Sequence, residues 1–237
     1  MEKQEQNSIC REIGARTGGD IYIGVVGPVR SGKSTFIKRF MEQLVLPAMS
    51  GSAAARERAR DELPQSAAGR TIMTTEPKFI PETAVPLQLE GGGACRVRLI
   101  DCVGYMVEGA MGHEEDAKPR MVKSPWFEQE VPFDLAAETG TRKVICEHST
   151  IGIVVTTDGS VSDIPREGYA RTEKRIVEEL DALGKPYIIL LNSTHPDAPE
   201  TKQLAEGMAR DYDHTVLPVS CVDLDAEALG SILRQVL

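Results

Sequence analysis

Short, almost wholly apolar runs alternate along this chain with longer amphipathic ones. Ile21–Val26 (IYIGVV), Ile151–Thr157 (IGIVVTT) and Pro186–Asn192 (PYIILLN) are apolar at nearly every position. That is the pattern of strands buried on both faces of a parallel sheet. Thr215–Ser220 (TVLPVS) reads as a shorter strand. Between and around these runs, Thr35–Leu46, Phe133–His148, Tyr169–Leu183, Glu200–Arg210 and Asp225–Leu237 carry helical spacing. Pro47 is expected to halt the first of these helices. Pro86–Asp101 (PLQLEGGGACRVRLID) alternates apolar and polar residues around a triple glycine. It predicts a hairpin whose second strand ends at Asp101. The fold class implied is α/β: a doubly wound, mostly parallel sheet with one antiparallel hairpin strand.

The remaining segments lack a clear period. Residues 1–19 read as an N-terminal extension with a helical turn or two over Ile9–Arg16, stopped by Gly18-Gly19. Ala48–Arg70 is polar and contains AAARERARDEL, which predicts an exposed helix. Thr71–Phe79 reads as a loop entering a strand. Residues 103–132 are rich in Gly, Pro and charge and predict a long inserted loop. Loops of that length are usually functional or contact a partner. Trp126 is expected to anchor it by burial. No internal repeat interrupts the pattern, and residues 1–237 read as a single domain.

Composition narrows the class. The 237 residues are 41% hydrophobic, which fits a globular chain, and the net charge is −9. An acidic chain is poorly suited to nucleic acid, whose binding rests on clustered Lys and Arg. No apolar run approaches the ~18 residues of a membrane span, so direct membrane insertion is not expected. Met1–Gly14 is charged and lacks the apolar core of a secretory signal. The five cysteines include no C-x-x-C pair, which points to reduced thiols in a cytoplasmic protein and away from a cysteine metal site.

The chemistry begins directly after the first strand, in GPVRSGKS. Gly27, Gly32, Lys33 and Ser34 fit G-x-x-x-x-G-K-[ST], the phosphate loop. Its backbone N–H groups and the following helix N-terminus point at negative charge. The candidate nucleotide-binding residues are therefore Gly27, Val29, Arg30, Ser31, Gly32, Lys33, Ser34 and Thr35. Pro28 cannot donate, so one phosphate contact is ruled out there. Lys33 would neutralise the β- and γ-phosphates, and Ser34 would offer its hydroxyl oxygen to Mg2+. The four fixed positions match by chance in a chain this long on the order of one time in a hundred, and the strand before and helix after sharpen the match.

A second acid follows at the predicted strand end VRLID. Asp101 could hold a water on Mg2+, and the Gly104 N–H could reach a γ-phosphate. D-x-x-G alone carries little, since a strand-terminal Asp is also an ordinary turn or cap residue. Between the two motifs lie Thr74 and Thr75, either of which could ligate Mg2+ when a γ-phosphate is present. Thr71 is a third candidate. Many GTPases place a water-orienting Gln after D-x-x-G; here that residue is Tyr105.

The order of these parts resembles a translation-factor-class GTPase. Such proteins carry N-K-x-D after the fifth strand, where this chain has Asn192-Ser193-Thr194-His195. Asn192 is retained as a candidate nucleotide contact. The carboxylate that pairs with guanine is missing, and with it roughly 1–3 kcal/mol of base discrimination. His195 is equally readable as a solvated loop residue.

A closer resemblance covers nearly the whole chain. TGGDIY (Thr17–Tyr22), DELPQSAAG (Asp61–Gly69), TIMTTEPKF (Thr71–Phe79), DCVGY (Asp101–Tyr105), GTRKVI (Gly140–Ile145), EHSTIG (Glu147–Gly152) and TTDG (Thr156–Gly159) resemble the N-terminal nucleotide-binding domain of the stage IV sporulation protein A family. The resemblance implies a slow, Mg2+-dependent ATPase with a GTPase-like fold. It implies catalytic roles for Lys33, Asp101, Thr74 and Thr75, and a metal site of Ser34, Thr75 and, through water, Asp101. It implies a basement layer of the spore coat, on the mother-cell cytoplasmic face of the forespore, built by self-association that hydrolysis supports. It also implies a small membrane-associated anchoring peptide and other coat proteins as partners, through regions beyond residue 237. Two alternatives stay open: a nucleotide-gated, GTPase-like switch, and a structural protein with a decayed pocket.

Overall fold

The computed structural model describes residues 19–49, 53–64, 76–89, 93–110, 114–115 and 118–237. The N-terminal helical turns expected over Ile9–Arg16 lie outside them. Strand β1 (Asp20–Val26) runs through the middle of a six-stranded sheet. On one side it pairs in parallel with β3 (Gly93–Asp101), and β2 (Lys78–Leu89) closes that edge antiparallel to β3. On the other side β8 (Ile151–Thr157), β9 (Tyr187–Asn192) and β10 (Val216–Val219) follow, all parallel. The expected mostly parallel sheet with one antiparallel strand is the sheet observed. Its hairpin is longer than the pattern suggested, with a register shift between Ile80 and Val85.

Helices cover both faces, which is why the central strands β1, β8 and β9 are apolar at nearly every position. Ile21, Ile23 and Val25 of β1, with Ile153, Val155, Ile188 and Leu190, meet Phe36, Ile37 and Phe40 of α1 (Lys33–Phe40) and Leu229, Ile232 and Leu233 of α6 (Ala226–Val236). Val26, Val154, Ile189 and Leu191 face the opposite way. They meet Ile176 and Leu180 of α4 (Glu167–Leu183), Met208 of α5 (Pro199–Tyr212), and Val144 and Ile145 after α3 (Phe133–Lys143). Each large side chain buried this way contributes roughly 1.5–3 kcal/mol. Alternate residues of one strand thus serve two cores, and the polar residues of β8 and β9 (Thr156, Thr157 and Asn192) fall at their carboxyl ends.

Several expectations need correction. The first helix runs on from α1 through a π-helical turn, Met41–Val45, and ends with Leu46–Ala48, one residue past the Pro47 expected to halt it. The polar segment does form a helix, α2 (Ala53–Asp61), with Ala59 turned inward. The long insertion is not wholly irregular. It contains two short antiparallel ribbons, β4 (Glu114–Glu115) with β5 (Lys118–Pro119) and β6 (Met121–Val122) with β7 (Val131–Pro132). Trp126 within it is half-buried.

One buried ionic group ties the helices to the strand end nearest the candidate site. Glu173 of α4 is 2% exposed. Its carboxylate accepts from the Arg166 guanidinium, from the Thr156 hydroxyl at the end of β8 (2.6 Å) and from the Tyr212 hydroxyl of α5 (2.9 Å). Removing the cation alone leaves a charge out of water. Arg166→Met should therefore cost about 3 kcal/mol in equilibrium urea unfolding. A loss below about 1 kcal/mol, the size of an exposed pair, would contradict the reading of Glu173 as a buried charge.

Candidate functional site

The phosphate loop occupies the turn between β1 and α1. Gly32 caps α1 at φ +104°, and a Cβ there would stand 2.2 Å from the Asn192 side-chain nitrogen, so no side chain fits. The first internal helical bond runs from the Phe36 N–H to the Gly32 carbonyl (2.9 Å). The N–H groups of Gly32, Lys33, Ser34 and Thr35 precede it and lack intrahelical acceptors. They form the anion-binding end of α1. Val29 does not belong with them. Its N–H donates to the Tyr105 carbonyl (2.9 Å), and its side chain packs against Val107, Ala110, Ile164 and Tyr169. Val29 is therefore not the nucleotide contact its place in the motif suggests: its backbone fastens the loop to the chain after β3. Arg30 follows in the left-handed region at φ +61°.

Lys33 is buried, and its Nζ donates to the Pro28 carbonyl (2.6 Å). Burial lowers its pKa, with Cys102 and Asp101 pushing back. Asp101 reaches the same place because β3 lies beside β1, with Val25 opposite Asp101 in the register. Burial raises the Asp101 pKa to about 6, against the pull of Lys33, Lys78, the Cys102 N–H and the Ser34 hydroxyl. Its Oδ1 is buried and has no hydrogen-bond partner among the described residues; the Ser31 hydroxyl is in the same condition. A hydroxyl bonded to a carboxylate with an orphaned oxygen, at a helix N-terminus, is a donor set suited to a hydrated Mg2+. The residues present therefore fit that ion.

Gly104 follows at φ +94°, and a Cβ there would lie 2.2 Å from the Gly27 carbonyl oxygen and 2.5 Å from Lys33 Nζ. Only glycine permits this approach. Its N–H does not face the loop: it donates to the Thr141 hydroxyl of α3 (3.1 Å). Tyr105 is directed away as well. Its hydroxyl donates to Glu179 of α4, and the Arg175 guanidinium stacks 4.6 Å from its ring. Burial and the Glu179 bond push its pKa up. Tyr105 therefore does not take the place of a water-orienting Gln. Thr71, Thr74 and Thr75 lie outside the described residues.

At the far end of the loop, Asn192 is spent on backbone. Its side-chain nitrogen donates to the Ser31 carbonyl (2.9 Å), and its oxygen accepts from the Cys221 N–H (3.0 Å). It positions the phosphate loop against the β10 end, a role different from the nucleotide contact expected of it. Ser193 is buried, bonds to Asp158 and accepts from the His195 N–H (2.9 Å). Asp158 also accepts from the Ser160 N–H (2.9 Å) and hydroxyl (2.6 Å). Those donors hold its pKa low despite partial burial. His195 itself is exposed. Sequence reasoning missed Thr141, Asp158 and the Pro28 carbonyl. Thr141 and Asp158 were within reach of inspection in GTRKVI and TTDG, but nothing local marks their long-range partners.

Comparison with known proteins gives the family. The family model "Stage IV sporulation protein A, ATPase domain" matches residues 4–237. Stage IV sporulation protein A of Bacillus subtilis (strain 168) is 53% identical over 233 residues, that of Bacillus anthracis 52% over 233, and that of Clostridioides difficile (strain 630) 49% over 231. Each alignment covers 98% of this chain and 47% of the relative, so the chain spans about half their length. Among solved structures, a mutation variant of SsGBP superposes with a TM-score of 0.50 at 15% identity, over 98% of this chain and 61% of that one. That likeness shows the fold alone. Among the described residues no helix is long and apolar enough to cross a membrane.

The charge state of Asp101 gives a test without ligand. Its folded pKa lies above the ordinary 3.8, at about 6. The folded chain thus keeps a proton that the unfolded chain has already lost. Stability relative to Asp101→Asn should fall as pH rises from about 4 to about 6 and stay flat above. Urea unfolding of both proteins across that range measures it. A difference that rises with pH would show a carboxylate stabilised by its neighbours, against this assignment.

Proposed function

The chain belongs to the stage IV sporulation protein A ATPase-domain family, and from that premise we propose that it binds ATP at Gly27–Thr35 and hydrolyses it with Mg2+. The observation that carries the proposal is the contact of Ser34 with Asp101, whose second oxygen is buried and unpartnered beside the Lys33 ammonium. Ser34 would hold the metal directly and Asp101 through water. When bound, Mg2+ supplies positive charge to the β- and γ-phosphate oxygens. Lys33 brings a second positive charge from a site closed to water, where its attraction for phosphate is least screened. The helix N–H groups orient the triphosphate. Thr74 or Thr75 is the proposed additional metal and γ-phosphate contact.

Base choice follows from the loop after β9. His195 replaces the carboxylate that would pair with guanine. Asp158 brings a carboxylate near this loop, but it is engaged by Ser160, Ser193 and Thr201. Nothing there favours guanine, and adenine would leave no buried carboxylate unpaired. Hydrolysis supporting self-association into a coat layer, contact with a small anchoring peptide and other coat proteins, and residence in the mother-cell cytoplasm belong to this reading of the whole protein.

Steady-state phosphate release tests the reading. ATP should be hydrolysed at least as fast as GTP, with release abolished by chelating Mg2+. Binding of GTP a hundredfold tighter than ATP, or no release from either, would overturn it. His195→Asp, at an exposed position, should shift the ATP-to-GTP preference toward GTP by up to about tenfold, the value of one bidentate base contact. Ser193 is kept unchanged in this test, since its buried hydroxyl holds the turn.

A further inference from the structure

Gly104 lies against the Lys33 ammonium and the Gly27 carbonyl so closely that a methyl group would collide with both. Its N–H is nonetheless turned to α3, where the Thr141 hydroxyl accepts it at 3.1 Å. Thr141 is fully buried, and its own hydroxyl hydrogen donates to the Ala137 carbonyl at 2.8 Å. With that hydrogen committed, the oxygen presents only lone pairs to Gly104. A buried N–H needs an acceptor; Thr141 is the oxygen acceptor this conformation offers, with the weaker-accepting Cys102 sulfur beside it.

We propose that the Thr141 hydroxyl is a positioning group that competes with the terminal phosphate of ATP for the Gly104 N–H. It keeps the D-x-x-G peptide on α3 in the ligand-free and ADP-bound chain, and only a triphosphate draws the peptide off. The inference rests on the reading that the Gly27–Thr35 loop binds ATP. Its physical content is an exchange of acceptors. A neutral hydroxyl gives way to a charged phosphate oxygen, which makes the stronger bond. The helix carrying Thr141 would feel that exchange directly, because Thr141 anchors the Gly104 turn to α3.

A merely structural hydrogen bond would weaken or strengthen all nucleotides alike, whereas a competing one changes their ratio. In Thr141→Val the side chain keeps its shape and loses its acceptor. The Gly104 N–H then keeps only the weakly accepting Cys102 sulfur without nucleotide and with ADP, and gains a strong acceptor only with a triphosphate. Calorimetric titration of ADP and of a non-hydrolysable ATP analogue should show the preference for the analogue rising threefold to tenfold in Thr141→Val, the worth of one net hydrogen bond. Thr141→Ser, which retains the hydroxyl, should restore the original ratio. An unchanged ratio in Thr141→Val overturns the competition while leaving the ATP reading intact. Failure of the unaltered chain to bind either adenine nucleotide overturns both. Should Thr141→Val not fold, the unaltered chain decides. The Gly104 amide resonance should move when the analogue replaces ADP, and a resonance identical in the two complexes overturns the proposal.

Discussion

A lysine ammonium held out of water is the constraint around which this structure is arranged. Lys33 is buried at the start of α1, with the Pro28 carbonyl accepting from it and Asp101 close by. Neither neighbour compensates it fully, since its pKa stays low and that of Asp101 is raised to about 6. Two charges in a low-dielectric setting repay their desolvation only with good geometry and further partners. A bound triphosphate and its metal are partners of the required kind. The site is better described as charges prepared for a ligand than as a salt bridge serving stability.

The rest of the sheet serves that arrangement. Parallel pairing of β1 with β3 brings the ends of two strands, Val26 and Asp101, to one edge. Pairing through β8 to β9 brings Asn192 to the same edge. Ligands of open α/β sheets bind at this carboxyl edge. The Asn192 side chain then joins the Ser31 carbonyl to the Cys221 N–H, and the Val29 N–H donates to the Tyr105 carbonyl, so the phosphate loop is held at both flanks through its backbone.

Much of this was legible in the chain itself. The apolar runs announced strands buried on both faces, and GPVRSGKS announced the loop between the first strand and helix. Asp101 was legible because the hairpin pattern ended on it. What remained hidden depends on partners distant in sequence. Tyr105 was noticed as a residue in place of Gln, but its direction is set by Arg175 and Glu179 on α4. Thr141 could be quoted within a motif, yet its role appears only when α3 packs against the turn at Gly104. Val29 and Asn192 were assigned by their place in a motif, whereas hydrogen bonds to remote backbone decide what they do. The π-helical turn before Pro47 has no local signal in the sequence. Trp126 misled because aromatic size alone does not ensure burial.

Direct titration of ATP onto the unaltered chain and onto Lys33→Ala addresses the central claim with least inference. Alanine removes the buried ammonium and leaves the phosphate charge uncompensated. Affinity should fall at least tenfold, about 1.4 kcal/mol. Equal affinity of the two proteins for ATP would contradict the assignment of Gly27–Thr35 as the nucleotide site.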